Sequence, residues 1–233
     1  DLAAQLTVHA IPVVLATEVT AAVLEQEKPD RVILATGARP VAPPIPGVDL
    51  PHVVQAWDVL MNRAMTGKRI AVLGGGAVGV ETALFLAQKG TLSGDAVKFL
   101  LINNAETPED LYDLAVHGTK KVVLIEMVKK IGRDIGLSTR WGMLQELSRI
   151  GVDSRVSTRA LEITSAGVIV DTDGKREEIP ADSVVLALGS ESHHPLETVL
   201  NDHNIPFETV GDAHSVATAF DAVHAGFKAG KAI

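Results

Sequence analysis

The chain contains no cysteine, and that absence excludes more than any other feature of its composition. No disulfide framework, no thiolate metal site and no thiol nucleophile can be built from these 233 residues. Redox chemistry within these residues is therefore expected to fall to an organic cofactor, and a dithiol-based disulfide reductase is not expected. Basic residues are also scarce relative to acidic ones, 21 against 29, giving a net charge of -8. That balance argues against nucleic acid or an anionic membrane surface as the main partner. No apolar run approaches the roughly 20 residues that span a bilayer. No basic-then-apolar leader is present either, so the expectation is a cytoplasmic protein with no membrane partner. What remains is a globular composition, 46% hydrophobic, long enough for one large or two small domains. The first residue is Asp1 and falls in the middle of a plausible element, which reads as a fragment of something longer.

The most informative stretch is Arg69-Ile-Ala-Val-Leu-Gly-Gly-Gly-Ala-Val-Gly-Val-Glu81. It reads as a buried strand, a glycine-only turn and the start of a helix. Gly74, Gly76 and Gly79 fit the G-x-G-x-x-G spacing. Gly74 permits a tight turn, Gly76 lets a diphosphate approach the backbone, and Gly79 lets the helix pack close to the sheet. The helix N-terminus then offers free N–H groups and a positive dipole end to the phosphates. Ala83-Leu-Phe-Leu-Ala87 continues the helix until Gly90. The fold class expected is α/β, a Rossmann-like parallel sheet.

Elsewhere, Ile11–Ala16 and Arg31–Ala35 are short apolar runs consistent with strands, the second closed by Thr36-Gly-Ala-Arg-Pro40. Val41-Ala-Pro-Pro-Ile-Pro-Gly47 has the composition of a linker between two units. Gln55–Met65 has a helical face of Trp57, Leu60, Met61 and Ala64. Residues 91–119 read as a helical insertion. Within it, Ala96–Ile102 suits a strand or a helix, and Thr107-Pro-Glu-Asp110 is a helix start. Lys121–Met127 is β-rich, and Arg140–Ile150 is a helix stopped by Gly151. Val152–Val156, Ala160–Thr164, Gly167–Thr172 and Lys175–Ile179 are short strands joined by tight turns. Ser183–Gly189 is a buried strand ending in glycine. A strand near Phe207–Val210, then Gly211-Asp-Ala213, leads to a helix from about Ala217.

A parallel nucleotide-binding unit needs a carboxylate at the end of its second strand. It accepts hydrogen bonds from the adenosine ribose hydroxyls and repels a 2′-phosphate. Glu126 ends Val122-Val-Leu-Ile-Glu126 and is the candidate. The usual interval is about twenty residues. Here it is 47 residues from Gly79, an excess that the 91–119 insertion accounts for. NAD(H) is therefore preferred. Lys129, Lys130 and Arg133 follow closely and leave NADP(H) as the alternative.

The order Ala-Thr-Gly-Ala38, proline linker, Gly74–Glu81, β-meander, Ala-Leu-Gly189 and Val-Gly-Asp-Ala213 resembles a two-dinucleotide-domain flavin reductase. In that fold an NAD(P)H domain is inserted into an FAD domain. The insertion after Gly90 and Lys130-Ile-Gly-Arg-Asp-Ile-Gly136 running into Thr139-Arg-Trp141 narrow the likeness. So does Phe220-Asp-Ala-Val-His-Ala-Gly226. They are similar to the C-terminal half of the NADH:flavin oxidoreductases, the 2,4-dienoyl-CoA reductase, 2-enoate reductase and trimethylamine dehydrogenase group. The resemblance implies a partial FAD-binding domain over 1–50, an NAD(P)-binding domain over 51–189, and a return to the FAD domain over 190–233. It places Gly74, Gly75, Gly76, Ala77, Val78, Gly79, Glu81, Glu126, Lys130 and Gly189 around the nicotinamide dinucleotide. Thr36, Gly37, Gly211 and Asp212 would lie around the FAD. A Gly-Asp at a strand end ahead of a helix is also, by its chemistry, an anion and hydroxyl site.

The resemblance further implies that the first glycine-rich unit of the FAD domain precedes residue 1. An FMN barrel and a [4Fe–4S] centre would lie in the same missing N-terminal region. The chain would then hold at most half an FAD site and retain little FAD alone, with a homo-oligomer possible for the longer protein. Its implied work is hydride transfer from NADH to FAD, feeding reduction of an activated C=C bond. Ring-to-ring transfer needs placement more than acid–base groups, so no catalytic side chain is nominated. Two alternatives stand beside it. One is a structural ADP-binding domain, as the trimethylamine dehydrogenase branch implies, and the other is a non-enzymatic nicotinamide-nucleotide-binding module. His193 and His194 with Glu191 and Glu197 read as a surface loop and not a metal site. Ser138-Thr139 reads as a helix start. Trp57 and Trp141 read as packing residues.

Overall fold

A computed structural model describes residues 2–233. The chain folds as two compact units. One comprises the chain through Arg39 together with Glu191–Ile233, and the other is Pro40–Ser190. In chain order the first unit supplies α1 (Leu2–Val8), α2 (Ala21–Glu27), β1 (Val32–Leu34) and most of β2 (Ala38–Pro40). The second unit follows with β3 (Val53–Gln55), α3 (Ala56–Leu60), β4 (Arg69–Leu73) and α4 (Ala77–Ala87). Next come α5 (Gly94–Ile102), α6 (Pro108–Val116), β5 (Lys121–Ile125), α7 (Leu137–Arg149) and β6 (Asp153–Arg155). A meander of β7 (Thr158–Ile163), β8 (Gly167–Thr172) and β9 (Lys175–Pro180) precedes β10 (Ser183–Leu186). The chain closes with β11 (Ser190–Ser192), α8 (Glu197–Asp202), β12 (Phe207–Thr209) and α9 (Ala219–Lys231).

The larger unit has three layers. Its central sheet runs β3-β10-β4-β5-β6, and every adjacent pair is parallel. Strand alternation divides the core between the two faces of this sheet. Ile70, Val72, Val122, Leu124 and Val185 pack with Val59, Val80, Leu86 and Leu147 on the helix side. Ala71, Leu73, Ile125, Val184 and Leu186 pack against Ile163, Val168, Val170 and Ile179 of the meander. Strands covered on both faces read as continuous apolar runs, which is the pattern of Ile70–Leu73 and Val122–Ile125. Each fully buried Val, Leu or Ile contributes about 1.5–3 kcal/mol. The meander is antiparallel, with a register shift between Ala160 and Glu162.

Two joints close the lower edge of the sheet. The Lys120 ammonium donates to the carbonyls of Thr66 and Gly67 at 2.9 and 2.8 Å, and desolvation lowers its pKa. Asp182 accepts from the Arg69 guanidinium and from the Arg69 backbone N–H, the latter at 2.8 Å. These bonds lower the Asp182 pKa from 3.8 to about 2. A depressed carboxylate stabilises the fold above its unfolded pKa and loses that contribution as pH falls through the folded one. Asp182→Asn should therefore be less stable than the parent at neutral pH. The difference should shrink between about pH 4 and pH 2, as urea denaturation at stepped pH would record.

In the smaller unit β1 and β12 pair in parallel, Val32 against Phe207 through Leu34 against Thr209. A small core of Leu24, Leu34 and Leu200 underlies them. Helix α9 carries a full capping box: Thr218 and Asp221 each satisfy the other's backbone N–H.

Several expectations need correction. Residues 11–16 form no strand: the stretch is irregular, and Val13, Val14 and Leu15 are exposed. An apolar β-branched run with no strand beside it has no ladder to join, and the Ile11 N–H turns back to the Leu6 carbonyl at 2.9 Å. The helix expected over Gln55–Met65 is only Ala56–Leu60, because Asn62 takes a left-handed φ of 55°. Ala96–Ile102 resolves as helix within α5, which Ser93 caps. Trp141 is 71% exposed on α7 and packs no core. Among the described residues, no group of acidic or histidine side chains is placed to hold a metal. No helix among them is long and apolar enough to cross a membrane.

Candidate functional site

The site lies within the larger unit, at the carboxyl ends of β4, β5 and β10. Parallel sheets place ligands at that edge, where strand ends and helix N-termini converge. After Leu73 the chain turns at Gly74 with φ 102° and enters α4 through Gly76. A Cβ on Gly74 would stand 2.3 Å from the Ala187 carbonyl oxygen, and one on Gly79 would stand 1.8 Å from that of Gly74. Both positions exclude a side chain, which is how the helix start closes against the strand end.

Glu126 follows β5 immediately and lies across the turn. Its Oε2 accepts from the Gly75 N–H at 2.6 Å, and its Oε1 accepts from the Val128 N–H at 2.9 Å. The carboxylate is thus fixed at both oxygens, beside the mouth of the glycine turn. The 47-residue interval has its explanation in the fold. β5 pairs with β4 directly, and α5 and α6 occupy the chain between α4 and β5.

Two cavities meet at this turn. The larger, about 740 Å³, is lined by Leu73, Gly74, Gly76, Ile125 and Glu126 from the strand ends. Ala187, Leu188 and Gly189 bound it after β10, and Thr158–Leu161 from the meander. Val41, Pro43, Pro44, Ile45 and Met127 also line it. The second, about 440 Å³, is lined by Gly75, Gly76, Glu126, Lys130, Arg133 and Asp134, with Met127 and Val128. The first is mostly apolar in its residues, and the second is framed by charged ones.

The structure therefore brings Gly74, Gly75, Gly76, Glu126, Lys130 and Gly189 to one place. Ala77 joins them through its backbone N–H, which the Asp134 carboxylate accepts at 2.9 and 3.0 Å. Gly79 acts from behind, by packing. Val78 packs into the helix-side core, and Glu81 is exposed on α4; neither lines a cavity. Two contributors escaped the sequence reading. Asp134 sits in an irregular loop with no periodic pattern to mark it. The proline-rich stretch at 41–47 reads by composition as a linker, yet it lines the larger cavity.

The remaining candidates belong to the smaller unit. The Thr36 hydroxyl donates to the His193 carbonyl, and the Gly37 carbonyl accepts from the His193 N–H at 3.0 Å. Gly211, at φ 60°, opens a single 3-10 turn. Asp212 accepts from the Ala217 N–H at 3.1 Å. Gly211 lines a cavity of about 750 Å³ with His214, Asp221, His224 and Lys228, and Asp212 does not. Hydrogen bonds from the Thr218 hydroxyl and backbone lower the Asp221 pKa.

Residues 6–210 match the pyridine nucleotide-disulphide oxidoreductase family model. The chain belongs to that family. It is 45% identical over 204 residues to a metal reductase of Desulforamulus reducens, covering 88% of this chain and 30% of the relative. It is 35% identical over 206 residues to an NADH oxidase of Thermoanaerobacter brockii, covering 86% of this chain and 27% of the relative. Among solved structures, a 2-naphthoyl-CoA reductase in complex with 2-naphthoyl-CoA superposes with a TM-score of 0.80 at 26% identity. That match covers 99% of this chain and 31% of the other. The chain thus spans about a third or less of the length of the proteins it matches. It has the Rossmann-like parallel sheet of a flavoprotein oxidoreductase, and not one cysteine of its own.

Proposed function

We propose that the larger unit is the NADH-binding domain of an NADH:flavin oxidoreductase. The observation that carries this reading is Glu126, held at both oxygens beside a turn that two steric contacts reserve for glycine. A fixed carboxylate there favours ribose hydroxyls and repels a 2′-phosphate, which selects NADH over NADPH. The residues fit the group. At Gly76 the turn presents bare backbone to the cavities, and the nearest atoms an added Cβ would meet belong to the Asp134 carboxylate, at 3.2 Å. Lys130 and Arg133 supply positive charge beside it.

Gly74, Gly75, Gly76 and the Ala77 N–H would hold the diphosphate, and Glu126 the ribose. The apolar wall from Pro43 to Ile45 and from Ala187 to Gly189 would shield the far end from water. When bound, the dinucleotide supplies a hydride to a flavin. In the smaller unit, Thr36, Gly37, Gly211 and Asp212 would contribute to an FAD site. An FMN barrel with a [4Fe–4S] centre, reducing an enoate-type C=C bond, belongs to the same proposal for the longer protein. It rests on the resemblance and on the chain's coverage of its relatives.

Calorimetric titration with NADH and NADPH tests the binding claim. NADH should bind more tightly than NADPH. Tighter NADPH binding, or binding of neither, contradicts it.

A further inference from the structure

The amide best placed to receive a diphosphate is already engaged. Ala77 is the first residue of α4, an 11-residue helix, and both Asp134 oxygens accept its N–H at 2.9 and 3.0 Å. With Glu126 on the Gly75 N–H, two carboxylates from the protein itself cover the glycine turn. Glu126 has a use in the ribose reading. Asp134 has none, since a fixed negative charge there opposes a ligand whose phosphates are negative.

We propose that Asp134 is a built-in competitor for the diphosphate, an acidic latch that dinucleotide binding displaces. This rests on the reading of the turn as an NADH site. The loop is constructed for such an exchange. Its base is pinned by the Gly132 N–H, which donates to the Gly75 carbonyl at 2.6 Å, and by buried Ile131. Asp134 lies in the turn between that anchor and Ile135, which packs against the helix-side core and donates its N–H to the Gly132 carbonyl at 3.2 Å. The Asp134 side chain is exposed, so the carboxylate can leave the Ala77 N–H by rotating about its side-chain bonds while the backbone stays in place. The same loop carries Lys130 and Arg133, and among the described residues neither forms an ion pair. Release of Asp134 leaves those two cations facing the turn, so one small movement changes the charge presented there from opposing to attracting. The latch keeps the helix end satisfied when no dinucleotide is present and raises the NADH concentration needed to half-fill the site.

The test compares the parent chain with Asp134→Asn and Asp134→Ala in calorimetric titrations. The probes are NADH, inorganic pyrophosphate and adenosine. Asparagine keeps an acceptor for the Ala77 N–H and removes only the charge. It should tighten NADH binding about tenfold. Pyrophosphate should tighten in parallel, and adenosine, which has no phosphate, should not change. Alanine should tighten both phosphate ligands at least as much. If the parent binds NADH and neither variant binds it more tightly, Asp134 is not a competitor. If adenosine gains as much as NADH, the effect is not exerted on the diphosphate, and the proposal falls. If none of the three proteins binds NADH, the reading of the site fails first and the latch with it.

Discussion

Gly79→Ala should destabilise the chain and abolish most of its NADH affinity, although alanine is the better helix former. In an unobstructed helix the change would stabilise by up to about 1 kcal/mol. Here the new Cβ would meet the Gly74 carbonyl oxygen at 1.8 Å, so α4 or the turn must move. Overpacking of this kind costs about 1–3 kcal/mol, which for a chain of this size lowers Tm by roughly 2–10 °C. The displaced turn no longer aligns the Gly75 and Ala77 amides, and NADH binding should weaken by at least about tenfold. Gly142→Ala is the internal control. It lies in α7 of the same unit with nothing within 4 Å of an added Cβ, so it should leave Tm unchanged or raise it. Thermal melts of the two variants decide the matter. Equal behaviour would remove the steric argument for the glycine turn.

The second large effect is expected at Glu126. Glu126→Ala removes the acceptor for the Gly75 and Val128 N–H groups and any partner for a ribose diol. Losing charged hydrogen bonds of this type costs about 1.5–3 kcal/mol, or roughly 10- to 150-fold in NADH affinity. NADPH should respond in the opposite direction, because the carboxylate that repels its 2′-phosphate has gone. Glu126→Gln separates the two roles. It keeps an acceptor and drops the charge, so NADPH should gain while NADH loses less than with alanine. Parallel titrations of both variants with both dinucleotides give the ratio directly. A ratio that stays where it was would show that Glu126 does not read the ribose.

How far the site could be read from sequence depended on how much each residue owed to its immediate neighbours. The strand–turn–helix at Arg69–Glu81 was legible because its constraint is local and steric. Only glycine satisfies the contacts at Gly74 and Gly79, so the spacing carries the geometry with it. Glu126 was legible at an abnormal distance because its strand is apolar on both faces and ends in a charge, whatever precedes it. Ile11–Ala16 misled for the opposite reason. Its side chains suit a strand, but pairing is a tertiary event, and no strand lies beside it.

Asp134 was illegible for a related cause. A loop aspartate carries no periodicity, and its importance comes from ending within reach of the Ala77 N–H, 57 residues earlier. Pro43, Pro44 and Ile45 were legible as extended backbone and not as a wall. Composition reports the shape of a segment, and the meander opposite decides what it faces.

The most direct measurement is an NADH titration of the nitrogen-15-labelled chain, followed amide by amide. The account predicts that the first and largest shifts fall on Gly75, Gly76, Ala77 and Val128, with the loop around Asp134 moving alongside them. Saturable shifts confined to some other surface, such as the cavity lined by Lys129, Arg140 and Ser148, would contradict it. So would the absence of saturable binding anywhere on the chain.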